Sequence, residues 1–72
     1  MQADVVKLSD TRVSVVARGL TVCDLRRTAE RECCSALGAD CWRLTGEEIV
    51  PCMVSLGGRV RLYEGRFEAC RA

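Results

Sequence analysis

The sequence predicts an α+β fold in two layers, with one helix packed on a mainly antiparallel sheet of three to four strands in the order β-α-β-β-β. Two observations predict this arrangement. One long segment has apolar residues at helical spacing, and shorter segments before and after it have the pattern of strands. The 72 residues also include six cysteines. A chain this short buries a modest core, so we expect the fold to be disulfide-stabilised.

The chain divides into a short leading segment and one domain. Residues 1–10 are polar and irregular, and we expect them to form a flexible N-terminal tether. Residues 11–72 are expected to form a single α+β domain. Its first strand is predicted at residues 12–18 and ends at Gly19. One face of this strand is apolar, as in a half-buried strand: Val13, Val15 and Ala17.

The helix is predicted over Val22–Leu37. Thr21 precedes it and Asp24 follows three residues later, a spacing that resembles a capping box. Gly38 is expected to end the helix. The apolar residues of this segment recur at helical spacing and form one stripe: Val22, Leu25, Ala29, Cys33, Ala36 and Leu37.

Three strands are predicted after the helix, at residues 39–45, 49–56 and 59–63. Gly46-Glu47-Glu48 is expected to be a solvated turn between the first two. Gly57-Gly58 is typical of a two-residue hairpin loop between the next two. Glu64-Gly65 is expected to break the last strand, which then continues at residues 66–70 after a bend.

The predicted two-residue loop creates a conflict between the strands that it joins. It pairs Val54 with Arg61, and this places Val60 and Leu62 on the face opposite to Val54. Two resolutions stay open: a bulge shifts the register, or both faces of the sheet are partly covered. Apolar residues on both faces would allow a homodimer.

The six cysteines are the candidate disulfide residues: Cys23, Cys33, Cys34, Cys41, Cys52 and Cys70. Their even number in a short chain is typical of a disulfide framework in an oxidising compartment. Free thiols in a reducing compartment, or thiols that bind a metal, are the alternatives. The chain lacks the Cys-x-x-Cys spacing that zinc sites favour. We therefore predict no metal and no cofactor.

Helix geometry limits which of these cysteines can be bonded. Cys23 and Cys34 would lie about 16 Å apart along one helix, beyond the roughly 7 Å that a disulfide allows between Cα atoms. If the second strand runs back along the helix, Cys34 approaches Cys41, and Cys23 approaches Cys52. A bond between Cys41 and Cys70 is the rival arrangement.

Candidate catalytic chemistry is sparse. Cys23 lies in the first turn of the predicted helix, a position that favours a reactive thiol, but the chain has no histidine to act as its base. Cys33 lies on the apolar stripe, where a thiol acts as a small hydrophobic side chain. Trp42 and Tyr63 are a candidate ligand platform, although a core position is the simpler interpretation of Trp42. The sequence pairs no nucleophile with a base, so no enzyme is predicted.

The charges limit the partners. The net charge is +1, so no strong field favours a nucleic acid. Arg59, Arg61 and Arg66 are expected to share one face of the last strands and to form an interaction face for an acidic partner. Protection of an edge strand by charge explains the same residues equally well.

Short stretches of the chain follow the pattern of a known group of proteins. The predicted helix ends in Cys34-Ser35-Ala36-Leu37-Gly38-Ala39-Asp40, the strand at residues 42–45 follows, and Gly65-Arg66-Phe67-Glu68-Ala69-Cys70 comes later. In these features the region from Arg26 onwards resembles small bacterial envelope lipoproteins, the RcsF-type stress sensors and related lipoproteins. The adjacent pair Cys33-Cys34 departs from the pattern of that group.

The resemblance implies an exported, disulfide-bonded, lipid-anchored domain with Cys41 or Cys70 bridged. We therefore expect a non-enzymatic protein-interaction or envelope-sensing domain in the periplasm or at the outer membrane. Its partner is expected to be another envelope protein, and it would contact the membrane only through a lipid anchor that has been removed. The alternative is a cytosolic module whose thiols bind a metal or sense redox state.

Overall fold

The computed structural model describes residues 2–38 and 42–71. This part of the chain contains one helix and four strands in the order β1-β2-α1-β3-β4. The predicted α+β class is confirmed, because the helix packs on one face of an antiparallel sheet. The bounds of the elements are Gln2–Lys7 for β1, Arg12–Gly19 for β2, Val22–Leu37 for α1, Trp42–Val54 for β3 and Val60–Arg71 for β4.

The sheet has the strand order β1-β2-β4-β3. The hairpin of β3 and β4 folds back so that β4 lies between β2 and β3. Val15 of β2 lies opposite Val5 of β1 on one side and Phe67 of β4 on the other. β1 and β3 are therefore the two edge strands of the sheet.

The hydrophobic core lies between α1 and the central strands β2 and β4. Four residues of the predicted apolar stripe follow one another at helical spacing and are buried: Leu25, Ala29, Cys33 and Leu37. They pack on buried residues of the two strands: Val13, Val15, Ala17, Phe67 and Ala69. The thiol of Cys33 fills this core as a small hydrophobic group, as its place on the stripe predicts.

Both ends of α1 lie where the sequence predicts them. The Thr21 side chain accepts a hydrogen bond of 3.1 Å from the backbone N–H of Asp24, so one of the unpaired amides at the helix start is satisfied. Gly38 has φ of 96° and donates its N–H to the carbonyl oxygen of Cys34 at 2.9 Å. Glycine adopts this left-handed conformation without the steric cost that a side chain brings.

The leading segment differs from the flexible tether predicted for residues 1–10. Residues 2–7 form β1, which pairs with β2 from Gln2 and Arg18 to Lys7 and Val13. Ala3 packs against the hydrophobic core. Pairing with the open side of β2 gives this short, polar segment a strand conformation that its own sequence specifies weakly.

The strands β3 and β4 are continuous, and two breaks predicted from the sequence are wrong. Gly46, in the predicted turn at residues 46–48, lies opposite Glu68 beside a register shift at Thr45. Gly65, in the predicted break, is buried under the ring of Phe67, where an added Cβ would lie 2.6 Å from Phe67 Cε2. These two glycines serve a bulge and a close packing contact inside long strands, not turns.

The loop between β3 and β4 has three residues and not the predicted two: Leu56, Gly57 and Gly58. The N–H of Ser55 donates to the carbonyl oxygen of Arg59 at 2.8 Å, and the N–H of Gly58 donates to the carbonyl oxygen of Ser55 at 2.9 Å. Gly58 has φ of 83°, which is typical of the last residue in a three-residue loop. The additional residue shifts the register so that Val54 pairs with Val60, and a second shift pairs Leu62 with Met53, which places Val60 and Leu62 on opposite faces.

Disulfide stabilisation finds no support in residues 2–38 and 42–71, where no two cysteines are bonded. Cys23 and Cys52 are both free, so the predicted bond between them is wrong. Cys41 lies outside the described residues, and its pairing with Cys34 or with Cys70 stays a prediction. The physical reason for the error is that one helix and two strands already enclose a continuous apolar core.

Candidate functional site

The hairpin of β3 and β4 projects beyond the rest of the sheet. The last pair between β2 and β4 is Gly19 with Tyr63, whereas β3 and β4 stay paired out to Val54 and Val60. We call residues 51–63 the arm, and we call each cross-strand residue pair a rung. The described structure is accordingly elongated, with principal extents of 43 × 17 × 17 Å.

Apolar side chains cover the arm and are open to solvent. Val54 and Val60 share one rung, and Met53 and Leu62 share the next, so these two rungs present apolar side chains on opposite faces of the arm. Met53 pairs with Leu62 at an irregular step of the ladder. Met53 is 57% exposed, Val54 is 54% exposed, and Leu56 at the tip is fully exposed. We use the name arm patch for Val50, which precedes the arm, together with the exposed Met53 and Val54 and the half-buried Val60 and Leu62.

The arm has no second layer within the described chain. None of residues 51–63 belongs to the buried core, and Tyr63, at the base of the arm, packs against it. A ribbon of two strands is at best marginally stable in water on its own, and contiguous exposed apolar surface marks an interaction site or an aggregation-prone edge. The arm is therefore the candidate functional site.

The predicted arginine face is divided by the structure. Arg59 and Arg61 are exposed near the tip of the arm, whereas Arg66 lies at its base, opposite Glu48. The Arg66 Nε atom is 3.4 Å from Oε2 of Glu64. Glu48, Arg59 and Arg61 form no ion pair with any described residue. The tip thus carries two unpaired cations, and the base carries an unpaired carboxylate.

Ion pairs cover the middle of the sheet face that α1 leaves open. Arg18 and Glu64 are direct cross-strand partners, with Nη2 and Oε1 3.0 Å apart. Arg12 forms an ion pair with Glu68. The hydrogen bond from Arg18 holds the pKa of Glu64 below its usual value. These charges compensate one another, in contrast to the unpaired charges of the arm.

A hollow of about 370 Å³ lies between α1 and β3, lined by Arg26, Glu30, Trp42, Leu44 and Glu47. Arg26 Nε donates to Glu47 Oε1 at 2.9 Å, and this contact raises the pKa of Arg26 above its usual value. Trp42 packs against the core and donates its Nε1–H to Cys34 Sγ at 3.1 Å. Trp42 and Tyr63 lie far apart along the hairpin, opposite Arg71 and Pro51 respectively, so they do not form one platform.

The thiols lie in contrasting surroundings. Cys23 is exposed in the first turn of α1, whereas Cys33 is fully buried. Burial raises the pKa of the Cys33 thiol above its usual value. Cys52 is exposed on the arm, at a register shift of β3. Across residues 2–38 and 42–71, no group of three cysteine, aspartate or glutamate side chains is placed to hold a metal ion.

No family model, curated protein or solved structure matches this chain. In the part of the chain that the structure describes, no helix is long and apolar enough to cross a membrane. The resemblance to envelope lipoproteins stays a prediction, and the function has to be inferred from the geometry of the arm.

The arm as a functional feature was not predicted from the sequence. The available signal is the run from Ile49 to Tyr63, which is rich in apolar residues and contains no acidic residue. No predicted helix follows that hairpin and could cover it. Nothing in the sequence shows where β2 ends relative to the two later strands, so their pattern alone predicts a place in the main sheet.

Proposed function

We propose that this chain is a non-enzymatic protein-interaction domain that docks through the arm patch. The observation that carries the proposal is the exposure of apolar side chains on a hairpin that projects from an otherwise well-packed core. Burial of apolar surface contributes roughly 25 cal/mol per Å². A partner that covers the arm patch therefore gains binding energy and supplies the layer that the two-stranded ribbon lacks.

The chemistry of the arm supports a protein partner. Apart from Arg59 and Arg61, the arm has no charged side chain, and protein interfaces are typically depleted of charge at their centre and polar at their rim. The strands of the arm stay paired as far as Val54 and Val60, with register shifts at Met53, so a partner meets side chains that strand pairing already positions.

Fewer observations support an envelope location than support docking through the arm. The cysteine content favours export, but the described residues contain no bonded cysteine pair. The resemblance to envelope lipoproteins is the remaining support for a periplasmic or outer-membrane position. The alternative thiol module is not favoured by a specific cluster of thiols in the described residues.

Site-specific photocrosslinking in cells that produce this protein tests the proposal. A photoreactive amino acid replaces Met53 in one sample and Arg27, exposed on α1, in a matched control. We expect polypeptide adducts from position 53 only, and Val54→Asp should abolish them. The crosslinked protein is identified by mass spectrometry, and its binding is then measured with purified components.

Two results of this experiment would overturn the proposal. Equal crosslinking from positions 53 and 27 would show that contact at the arm is not specific. Adducts with lipid alone would show that the arm contacts a membrane and not a protein.

A further inference from the structure

We propose that the occupant of the arm patch is the arm of a second copy of this chain, packed antiparallel about a two-fold axis at the Pro51–Tyr63 rung. This inference rests on the proposed docking function and names its partner. The interface of such a dimer is isologous, because each copy contributes the same surface.

The Pro51–Tyr63 rung has at least three rungs on either side of it, with two register shifts on the tip side. Towards the core, the next three rungs are Val50–Glu64, Ile49–Gly65 and Glu48–Arg66. Towards the tip, they are Met53–Leu62, Val54–Val60 and the hydrogen-bonded pair Ser55–Arg59. Arg59 lies four residues from Tyr63 along β4, and Glu48 lies three residues from Pro51 along β3, which are about 13 Å and about 10 Å at the usual rise of a strand. A two-fold axis at the Pro51–Tyr63 rung therefore brings the Arg59 rung of one copy close to the level of the Glu48 rung of the other.

The apolar residues fit the same axis. Val50 lies one rung on the core side of Pro51, and Met53 lies one rung on the tip side. The axis places Val50 of one copy at the level of Met53 and Leu62 of the other. These residues belong to the arm patch, and Glu64, which shares the Val50 rung, is already paired with Arg18. The unpaired charges therefore lie at the ends of the interface, as in typical protein interfaces.

The unpaired charges select the antiparallel arrangement. Arms packed side by side in the same direction would bring four guanidinium groups together, from Arg59 and Arg61 of both copies, and like charges at close range oppose association. The antiparallel arrangement instead brings Arg59 to Glu48, which has no ion pair with a described residue. Arg66 shares the Glu48 rung, but its Nε is 3.4 Å from Glu64 Oε2 and its charge is offset.

A second copy also accounts for the length of the exposed edge. β3 is an edge strand of 13 residues whose section from Ile49 to Val54 carries no charge, and an exposed apolar edge promotes open-ended association. An interface with two-fold symmetry closes after two copies, so it covers the arm and leaves no repeating contact.

Charge reversal tests the inference. Sedimentation velocity over a series of concentrations is measured for the wild type, for Glu48→Arg, for Arg59→Glu, and for an equimolar mixture of the two variants. Both positions are exposed and without a described ion pair, so both variants should fold, which circular dichroism checks. We expect a wild-type dimer, a dissociation constant raised at least about tenfold in each variant, and recovery in the mixture.

The mixture is the decisive sample. It recovers the dimer because the arginine introduced at position 48 of one variant meets the glutamate introduced at position 59 of the other. The unchanged Arg59 and Glu48 of the two variants meet at the second contact. A monomeric wild type at all concentrations, unchanged association of the single variants, or no recovery in the mixture would overturn the inference. If position 53 still crosslinks a different protein in cells, docking through the arm stands and only its partner changes.

Discussion

Gly65 of β4 lies directly beneath the ring of Phe67, two residues further along the same strand. A Cβ at position 65 would come within 2.6 Å of Phe67 Cε2 and 3.3 Å of Leu25 Cδ1. Phe67 and Leu25 are both buried, so neither side chain can move aside without disturbing the core. The contact between helix and sheet therefore requires glycine at this position.

The variant Gly65→Ala is expected to lower the free energy of unfolding by about 1–3 kcal/mol, the usual cost of overpacking a core. Gly46→Ala is the matched control, because its Cβ would lie 3.8 Å from Glu68 Cβ, an ordinary contact. Urea denaturation of both variants measures the difference. Equal stability of the two variants would show that Phe67 can adjust to the added methyl group.

The N-terminal cap of α1 gives a second prediction. Thr21→Ala removes the hydrogen bond from Asp24 N–H at the start of the helix and should cost about 1 kcal/mol. Ser35→Ala, at an exposed position inside the same helix, should stay within about 0.5 kcal/mol of the wild type. Thermal unfolding of both variants checks this, and a neutral Thr21→Ala would mean that water replaces the cap without loss.

The free energy of unfolding should decrease as the pH rises in the alkaline range, because of Cys33. Burial favours the neutral thiol and raises its pKa in the folded state, so the unfolded chain loses this proton first as the pH rises. The stabilisation that Cys33 gives to the folded state is fully present below the ordinary thiol pKa of about 8.5. Above that pH, the free energy of unfolding falls by up to about 1.4 kcal/mol per pH unit.

Urea denaturation between neutral pH and about pH 10 measures this slope. Cys33→Ala should be less stable at neutral pH and show a smaller slope, whereas Cys23→Ala, at an exposed position, should keep the slope of the wild type. An unchanged slope in Cys33→Ala would place the pH dependence elsewhere.

Cys52 provides a chemical probe of the proposed dimer. It follows Pro51 on β3 and is exposed, so the proposed axis brings the Cys52 residues of two copies close together. A short bismaleimide should therefore produce a covalent dimer in the wild type and in Cys23→Ser, and none in Cys52→Ser. Crosslinking that persists in Cys52→Ser would place the contact between copies at another thiol.

The helix was predictable because its signals are local. The Thr21 and Gly38 caps and the apolar stripe depend on neighbours within a few residues, and all lie where the sequence placed them. The strands depended on distant partners. Gly46 and Gly65 have the local pattern of turns, but the bulge opposite Glu68 and the ring of Phe67 determine their roles.

The candidate site was less predictable than the fold. A hairpin turn is predictable at Gly57-Gly58, yet one additional loop residue decides that Val54 lies beside Val60. The projection of the arm depends on where β2 ends, at Gly19 opposite Tyr63. The sequence of the hairpin alone does not show how far the arm projects. It also does not show that Arg66 lies away from the tip.

The most direct test of the arm as an interface between two copies is the methyl signal of Met53. The chain has two methionines, Met1 and Met53, so a sample with labelled methionine methyl groups gives one signal for the arm and one reference. With rising protein concentration, the Met53 signal should shift and broaden along a binding curve, and Arg59→Glu should move that curve to higher concentration. A Met53 signal that stays constant over the whole range would contradict the proposed dimer.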